Sequence, residues 1–391
     1  MNPSEPNRRK FFKILAAGGL GMGLSSLGMA RGTTHPAPAG DEKPATNIAD
    51  ALKHARLPQS MPGRFPGQVV KVNHAHCIDS DTIVVAAVEQ MLTGGMLALT
   101  GASSIRDAWR MFVNPGEKIG LKINPIGEKL LSTSVPLVKA VIAQLKDAGI
   151  SEKDIMIWDR REFQLKDAGF IPEEFPGIQL RGTEQQDANG SFYGTDGLQY
   201  AEKNIDKEWF YWADTEEEYD AYTLPYMVNS GKYSYFSKIC TQELDKIINI
   251  PILKNAGASV TLCLKNLAYG AITNTGRLHK QLWSETSAEV CAFPPLRDKV
   301  VLNIVDGLKG CYDGGPGANP QFICQYNTLL FGSDPVAVDR IGYETVLKKR
   351  IEMEVQKTDN PKGRKFLELA SNLGLGVSDL DKINLKMVQL G

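Results

Sequence analysis

The 391-residue sequence lacks the paired cysteines on which iron–sulfur and zinc modules are built. Its six cysteines, Cys77, Cys240, Cys263, Cys291, Cys311 and Cys324, are scattered with no Cys-x-x-Cys among them. No intrinsic iron–sulfur cluster or zinc ribbon is therefore expected. An excess of charge of one sign is missing too: 44 basic residues meet 45 acidic ones, a net of −1, and no nucleic-acid partner is indicated. There is no His-Glu-x-x-His, no nucleophile elbow, no dinucleotide fingerprint and no phosphate loop ending in Gly-Lys-Ser/Thr. Zinc-peptidase, hydrolase and Rossmann-dehydrogenase assignments lose support accordingly. Long apolar runs are absent as well. The stretch at residues 14–27 has fourteen residues, against the roughly 20 that a helix needs to cross a hydrocarbon core.

What the N-terminus does contain is a targeting pattern. The basic run Asn7-Arg8-Arg9-Lys10-Phe11-Phe12-Lys13 precedes a glycine-rich apolar stretch and a small-residue end at Gly28-Met29-Ala30. That order reads as a twin-arginine signal peptide over residues 1–30, cleaved near Ala30, which directs a folded chain to the periplasm or another exported location. No stable membrane span is expected after cleavage. Removing residues 1–30 takes away four basic residues and one acid, moving the net charge from −1 to −4. Residues 31–66 carry Pro36, Pro38, Pro44, Pro58, Pro62 and Pro66 among small polar residues, the composition of a linker or loosely attached arm.

The folded part, residues 67–391, holds enough apolar sequence for a large core, at 42% hydrophobic over the whole chain. Residues 118–124 form an apolar run with the length of a buried strand. An i, i+3, i+4, i+7 stripe of Val138, Val141, Ile142 and Leu145 follows, with Ser134 placed to cap that helix and Gly149 to stop it. Residues 154–159 supply the next strand, so the unit predicts a parallel pair with a right-handed crossover. Ligands of parallel sheets sit beyond the carboxyl ends of the strands, where helix N-termini point their free N–H groups. Lys122, Asn124, Ser132, Thr133, Asp159 and Arg160 would gather there as a site for a small anion. The plainer alternative is that Ser134 caps, Lys122 snorkels and Asp159 pairs with Arg160.

In the C-terminal half, residues 299–305 read as another buried strand ending at Asp306, followed by a glycine-rich loop over residues 307–317 that includes Gly314 and Gly315. Cys311 and Cys324 flank that loop and are the pair to test for a disulfide. Residues 328–332 give a short strand. Ser333-Asp334-Pro335 then opens a helix, with Asp334 as its cap or as a ligand group, and Asp339 lies roughly 140° further round that helix. Lys254, Lys265 and Asn266 add polar groups near glycine turns. Residues 184–236 are rich in acids and aromatics and read as an insertion whose rings pack it onto the sheet or line a pocket.

Taken in order, several stretches resemble the domain of unknown function 362 family. They are Gly120-Leu121-Lys122-Ile123-Asn124, Ile157-Trp158-Asp159-Arg160, Leu264-Lys265-Asn266-Leu267, Asp306-Gly307-Leu308 with Gly314-Gly315-Pro316, and Ser333-Asp334-Pro335-Val336-Ala337-Val338-Asp339. The resemblance implies an α/β domain with a mainly parallel sheet flanked by helices. Its members include twin-arginine-exported proteins and others fused to iron–sulfur modules, a cysteine-rich segment this chain lacks.

Three functional readings follow. The first is an exported enzyme acting on a small anionic molecule, with Lys122 and Lys265 stabilising charge and Asp306 or Asp339 as acid/base groups or ligands. Here Asn124, Ser132, Thr133, Asp159, Arg160, Asn266, Gly314, Gly315 and Asp334 complete the binding set. The second is a non-catalytic accessory protein for an iron–sulfur or other redox partner protein. The third is a metal-dependent protein in which His74 and His76, two apart on one strand face, hold a divalent metal with Asp79 and Asp81 nearby. The cofactor, if any, is not named by the sequence.

Overall fold

The computed structural model describes residues 43–217, 228, 231–257 and 259–391. The twin-arginine stretch and its cleavage site lie outside the described residues, as do Tyr219, Tyr222 and Tyr226.

A ten-stranded sheet organises the chain. Its strands are β1 (Gln68–His74), β2 (Ile119–Ile123), β3 (Ile155–Arg161), β4 (Gln179–Glu184), β5 (Lys246–Ile250), β6 (Ile252–Ala256), β7 (Ser259–Thr261), β8 (Val300–Cys311), β9 (Ile323–Gly332) and β10 (Asn384–Leu390). The longer helices are α1 (Val85–Thr100), α2 (Val135–Asp147), α3 (Cys263–Ala271), α4 (Trp283–Glu289), α5 (Pro335–Glu352) and α6 (Pro361–Asn372). Across the sheet the order is β10-β1-β9-β8-β5-β2-β3-β4, with β6 beside β8 and β7 beside β6. The five strands β8, β5, β2, β3 and β4 run parallel, while β9 runs against both its neighbours. The protein is thus α/β, with a mainly parallel sheet covered by helices.

Every residue of β2 is buried, as befits a central strand covered on both faces. The alternation of side chains sorts the core into two layers. Ile119, Leu121, Ile155, Ile157, Ile248, Leu302 and Ile304 join α1 and α2 on one face. Met156, Trp158, Ile247, Val300 and Val305 join α3, α4, α5 and α6 on the other.

Two local differences from the sequence reading have physical causes. Ser134 occupies the N-cap position of α2, but its hydroxyl makes no capping hydrogen bond. Pro136 in the first turn removes one of the N–H groups that such a hydroxyl would accept from. The strand ending at Asp306 instead continues to Cys311, taking in residues expected to be loop. Glycine serves contact here rather than turning: a Cβ at Gly307 would press on Thr328, and one at Gly310 would overlap the Leu253 carbonyl.

Residues 205–237 include an antiparallel hairpin, Ile205–Trp212 with Tyr233–Ser237. Its Tyr211 and Phe236 enter the core. Residues 43–66 run against this hairpin and the domain. Asn47 donates its N–H to the Trp212 carbonyl at 3.1 Å, Lys43 and Thr46 reach Glu289 at 3.0 and 2.7 Å, and Met61 is fully buried. Among the described residues no helix is long and apolar enough to cross a membrane.

Candidate functional site

The chain winds outward from β2 through β3 to β4 and then returns to place β5 on the opposite side of β2. The helix that follows β2, α2, packs on one face, and α3, which follows β5 by way of β6 and β7, packs on the other. Between β2 and β5 the winding therefore reverses. In open α/β sheets ligands usually bind outside the strand carboxyl ends at such a reversal.

Polar residues interrupt the apolar strands at this point and at one level. Lys122 of β2 stands opposite Trp158 of β3 and Asn249 of β5, and Asn249 stands opposite Asn303 of β8. All four face α3. Lys122 is fully buried; its Nζ pairs with the Asp159 carboxylate and donates to the Ile123 carbonyl at 2.8 Å and to Asn266 Oδ1 of α3 at 3.2 Å. Helix α3 can lie this close because residue 270 is glycine: a Cβ there would overlap Lys122 Cε.

From Asn266 a chain of amides crosses the sheet. Lys254 Nζ donates to Asn124 Oδ1 at 2.9 Å, Asn124 Nδ2 to Asn266 Oδ1 at 3.0 Å, Asn266 Nδ2 to Asn249 Oδ1 at 2.8 Å, and Asn249 Nδ2 to Asn303 Oδ1 at 2.9 Å. The chain ends on the Gly332 carbonyl, 3.2 Å from Asn303 Nδ2. A lysine can only donate when charged, so Lys254 and Lys122 set the direction of every amide after them.

The electrostatics are lopsided. Lys122 has Asp159, and Arg160 and Arg161 share Glu184 at 3.6 and 2.8 Å. Lys254 and Lys265 have no carboxylate within ion-pair distance among the described residues. Lys254 contacts only oxygen dipoles, Asn124 Oδ1 and the Ile126 carbonyl at 2.7 Å. Lys265, 6% exposed, has its Nζ 5.3 Å from the ring centroids of both Tyr269 and Trp283. Burial pushes both amines down to about 7. The two rings oppose this for Lys265, since each favours the ammonium by about 0.5–2 kcal/mol. Burial also lowers Lys122, against the pull of Asp159. Beside Lys265, the buried hydroxyl of Tyr269 makes no well-formed hydrogen bond among the described residues, and burial holds it well above the usual tyrosine range against the pull of the Thr286 side chain. The His279 ring lies 4.6 Å from that of Tyr269, and Arg160 bonds the Thr275 hydroxyl.

The other residues singled out in the sequence fall into distinct places. Thr133 accepts from the Asn124 N–H at 2.9 Å and donates to the Ile250 carbonyl at 2.7 Å, tying β2 to β5; the Ser132 hydroxyl turns back to the Thr133 carbonyl. Asp306 accepts the N–H groups of Ser134, at the start of α2, and Leu308, and burial raises its pKa. Asp339, reaching from α5, accepts the N–H groups of Cys263 and Leu264 at the start of α3 at 2.6 and 3.0 Å, and burial raises it to about 7. Asp334 accepts from Gly67, Ala337 and Val377, which caps α5 and ties in two other segments. Gly314 packs on Phe322 and Gly315 on the Asn255 carbonyl at the end of β6. His74 Nδ1 receives the His76 N–H at 3.1 Å, and His76 itself is exposed. Among the described residues no group of three or more histidine, cysteine, aspartate or glutamate side chains is placed to hold a metal. All six cysteines are free. The register pairs Cys311 with Ile323 and Gly310 with Cys324, so the two thiols expected to bridge project from opposite faces.

Asn249 and Asn303, neither among the candidate ligands in the sequence, complete the network with Lys254, noted there only as a polar group near a glycine turn. The signal was present: a single polar residue inside the otherwise apolar run 247–250, and another inside 300–305.

No curated protein matches the chain. A crystal structure of a protein from Thermotoga maritima aligns with 70% of this chain at 8% sequence identity and a TM-score of 0.37, and the aligned part spans 60% of that protein. The profile of a family described as a domain of unknown function, DUF362, matches residues 119–344, a span that takes in β2 through most of α5 and all the lysines and amides above. The chain belongs to the DUF362 family.

Proposed function

We propose that this chain is exported by the twin-arginine route and that its α/β domain is an enzyme for a small anionic molecule held at the carboxyl ends of β2, β3 and β5. One observation carries the reading: Lys254 and Lys265 are buried with no carboxylate within ion-pair distance among the described residues, at a reversal in strand order, beside Lys122 and Arg160, which each have a carboxylate partner. Unpaired buried cations are expensive to maintain, and an anion supplies what they lack. Lys254, Lys265 and the flank of Arg160 bind the anion, while Asp159 and Glu184 hold Lys122 and the arginines in place. Asp306 and Asp339 act as positioning residues, since both spend their oxygens on backbone N–H groups that fix α2 and α3 on either side of the reversal.

The test of the site is binding by Lys254→Met and Lys265→Met variants. Each is expected to stay folded and to lose affinity for small carboxylates or phosphate by tenfold or more, on the order of 1.4 kcal/mol; unchanged affinity in both would remove the site. Export is tested separately by Arg8→Lys with Arg9→Lys, which is expected to leave the folded chain in the cytoplasm.

A further inference from the structure

The same cluster points to a substrate class. We propose that Lys265 is a covalent catalytic residue whose Nζ condenses with the carbonyl of a small oxo acid, the acid group being held by the neighbouring cations; this rests on the anion-site reading above. Three observations converge on it. The Lys265 amine is more than nine-tenths buried and has two aromatic rings against it but, among the described residues, no hydrogen-bond acceptor. A buried lysine without an acceptor is more readily neutral, and only the neutral amine is a nucleophile. Tyr269 lies one helical turn on along α3, so it shares a face with Lys265, and its hydroxyl, beside the Thr286 side chain, makes no well-formed hydrogen bond among the described residues. Lys254 lies close enough to feel the charge of Lys265, and Asn266, the next residue, touches both Lys122 and Asn124, so the start of α3 carries the amine beside the cationic network. Trp283, half-buried, forms the outer wall of the amine's box and is itself backed by Phe366 at 5.4 Å.

The step balances without an oxidant or reductant. The lone pair of the neutral amine attacks the carbonyl carbon, forming a C–N bond as the carbonyl π pair moves to oxygen. That oxygen takes a proton from the Tyr269 hydroxyl, which regains one from the nitrogen. A second proton from nitrogen accompanies the oxygen as it departs as water, leaving an imine between Lys265 and the oxo acid. Lys254 stays non-covalent: its Nζ is already engaged by Asn124 and the Ile126 carbonyl.

The experiment treats the purified full chain with pyruvate and sodium cyanoborohydride, which reduces an imine to a stable amine, and maps the adduct by peptide mass spectrometry. The expected result is one dominant adduct at Lys265, lost in Lys265→Arg and formed several-fold more slowly in Tyr269→Phe. Circular dichroism shows whether each variant is folded. Labelling of Lys265 no faster than that of exposed Lys139 overturns the proposal. A parallel arm adds acetate, which has the charge but no carbonyl. Acetate binding with no Lys265 adduct rejects the covalent step while the anion site stands. An adduct that acetate does not slow rejects the anion site while the reactive amine stands.

Discussion

At the scale of single residues, the site is built from side chains that destabilise the fold. Lys265 loses hydration on burial and gains no acceptor. Methionine matches its length without the amine, so Lys265→Met should raise the free energy of unfolding by about 1–3 kcal/mol while abolishing anion binding. Denaturant unfolding of the ligand-free chain measures the first effect. The Lys122–Asp159 pair behaves in the opposite way. Both groups are buried and each completes the other, so Asp159→Ala leaves an unmatched buried lysine and should cost about 3–5 kcal/mol. A double change, Lys122→Met with Asp159→Leu, is expected to recover much of that loss in the same unfolding experiment, because it removes the orphan charge together with its partner.

Among elements, α3 is the one on which the site depends, and two contacts decide where it sits. Asp339 accepts the first two N–H groups of α3, so Asp339→Ala should cost about 1–2 kcal/mol as a lost cap and weaken anion binding without touching the anion. Gly270 allows the helix to close on Lys122; Gly270→Ala should destabilise by about 1–3 kcal/mol through overpacking and can be compared with Asp339→Ala by the same two readouts. These contacts also mark the limit of what could be read along the chain. The strand–helix–strand unit of β2, α2 and β3 was legible because its signals are local: an apolar run, a 3.6-residue stripe and a glycine stop. Lys122 was legible as the odd residue in such a run. The amide chain was not, because Asn124 follows β2, Asn249 and Asn303 lie in β5 and β8 and Asn266 in α3, and they meet only once strand register and helix packing are set. Asp339 shows the same gap from the other side. Its place on its own helix was clear, but the N–H groups it accepts belong to a helix more than seventy residues earlier. The β8 glycines misled for a related reason, since a glycine that permits contact and one that permits a turn look alike in one dimension.

For the whole molecule, the buried amines and carboxylates make stability and binding depend on pH in ways that can be told apart. Folded Lys254 and Lys265 titrate at about 7, below the 10.5 of an unfolded lysine. Between those values the unfolded chain binds more protons, so their contribution to stability rises with pH. Asp339 acts in the other direction: raised from 3.8 to about 7 in the folded chain, it contributes most below pH 4 and loses that contribution as pH rises through 7. Comparing unfolding at pH 7 and pH 9 in wild type and Lys265→Met should show a smaller rise in the variant. An anion reverses the balance at the lysines by favouring the ammonium, so its binding should take up protons and weaken above pH 7. The most direct measurement is the thermal unfolding of the purified chain near pH 6.5 with acetate, pyruvate, oxalate, sulfate or phosphate against chloride at equal ionic strength, since a ligand of the folded state raises the midpoint, and more so the tighter it binds. The account predicts that at least one of these anions raises the midpoint of the wild type and leaves that of Lys265→Met unmoved; no shift with any of them, or an equal shift in the variant, would contradict it.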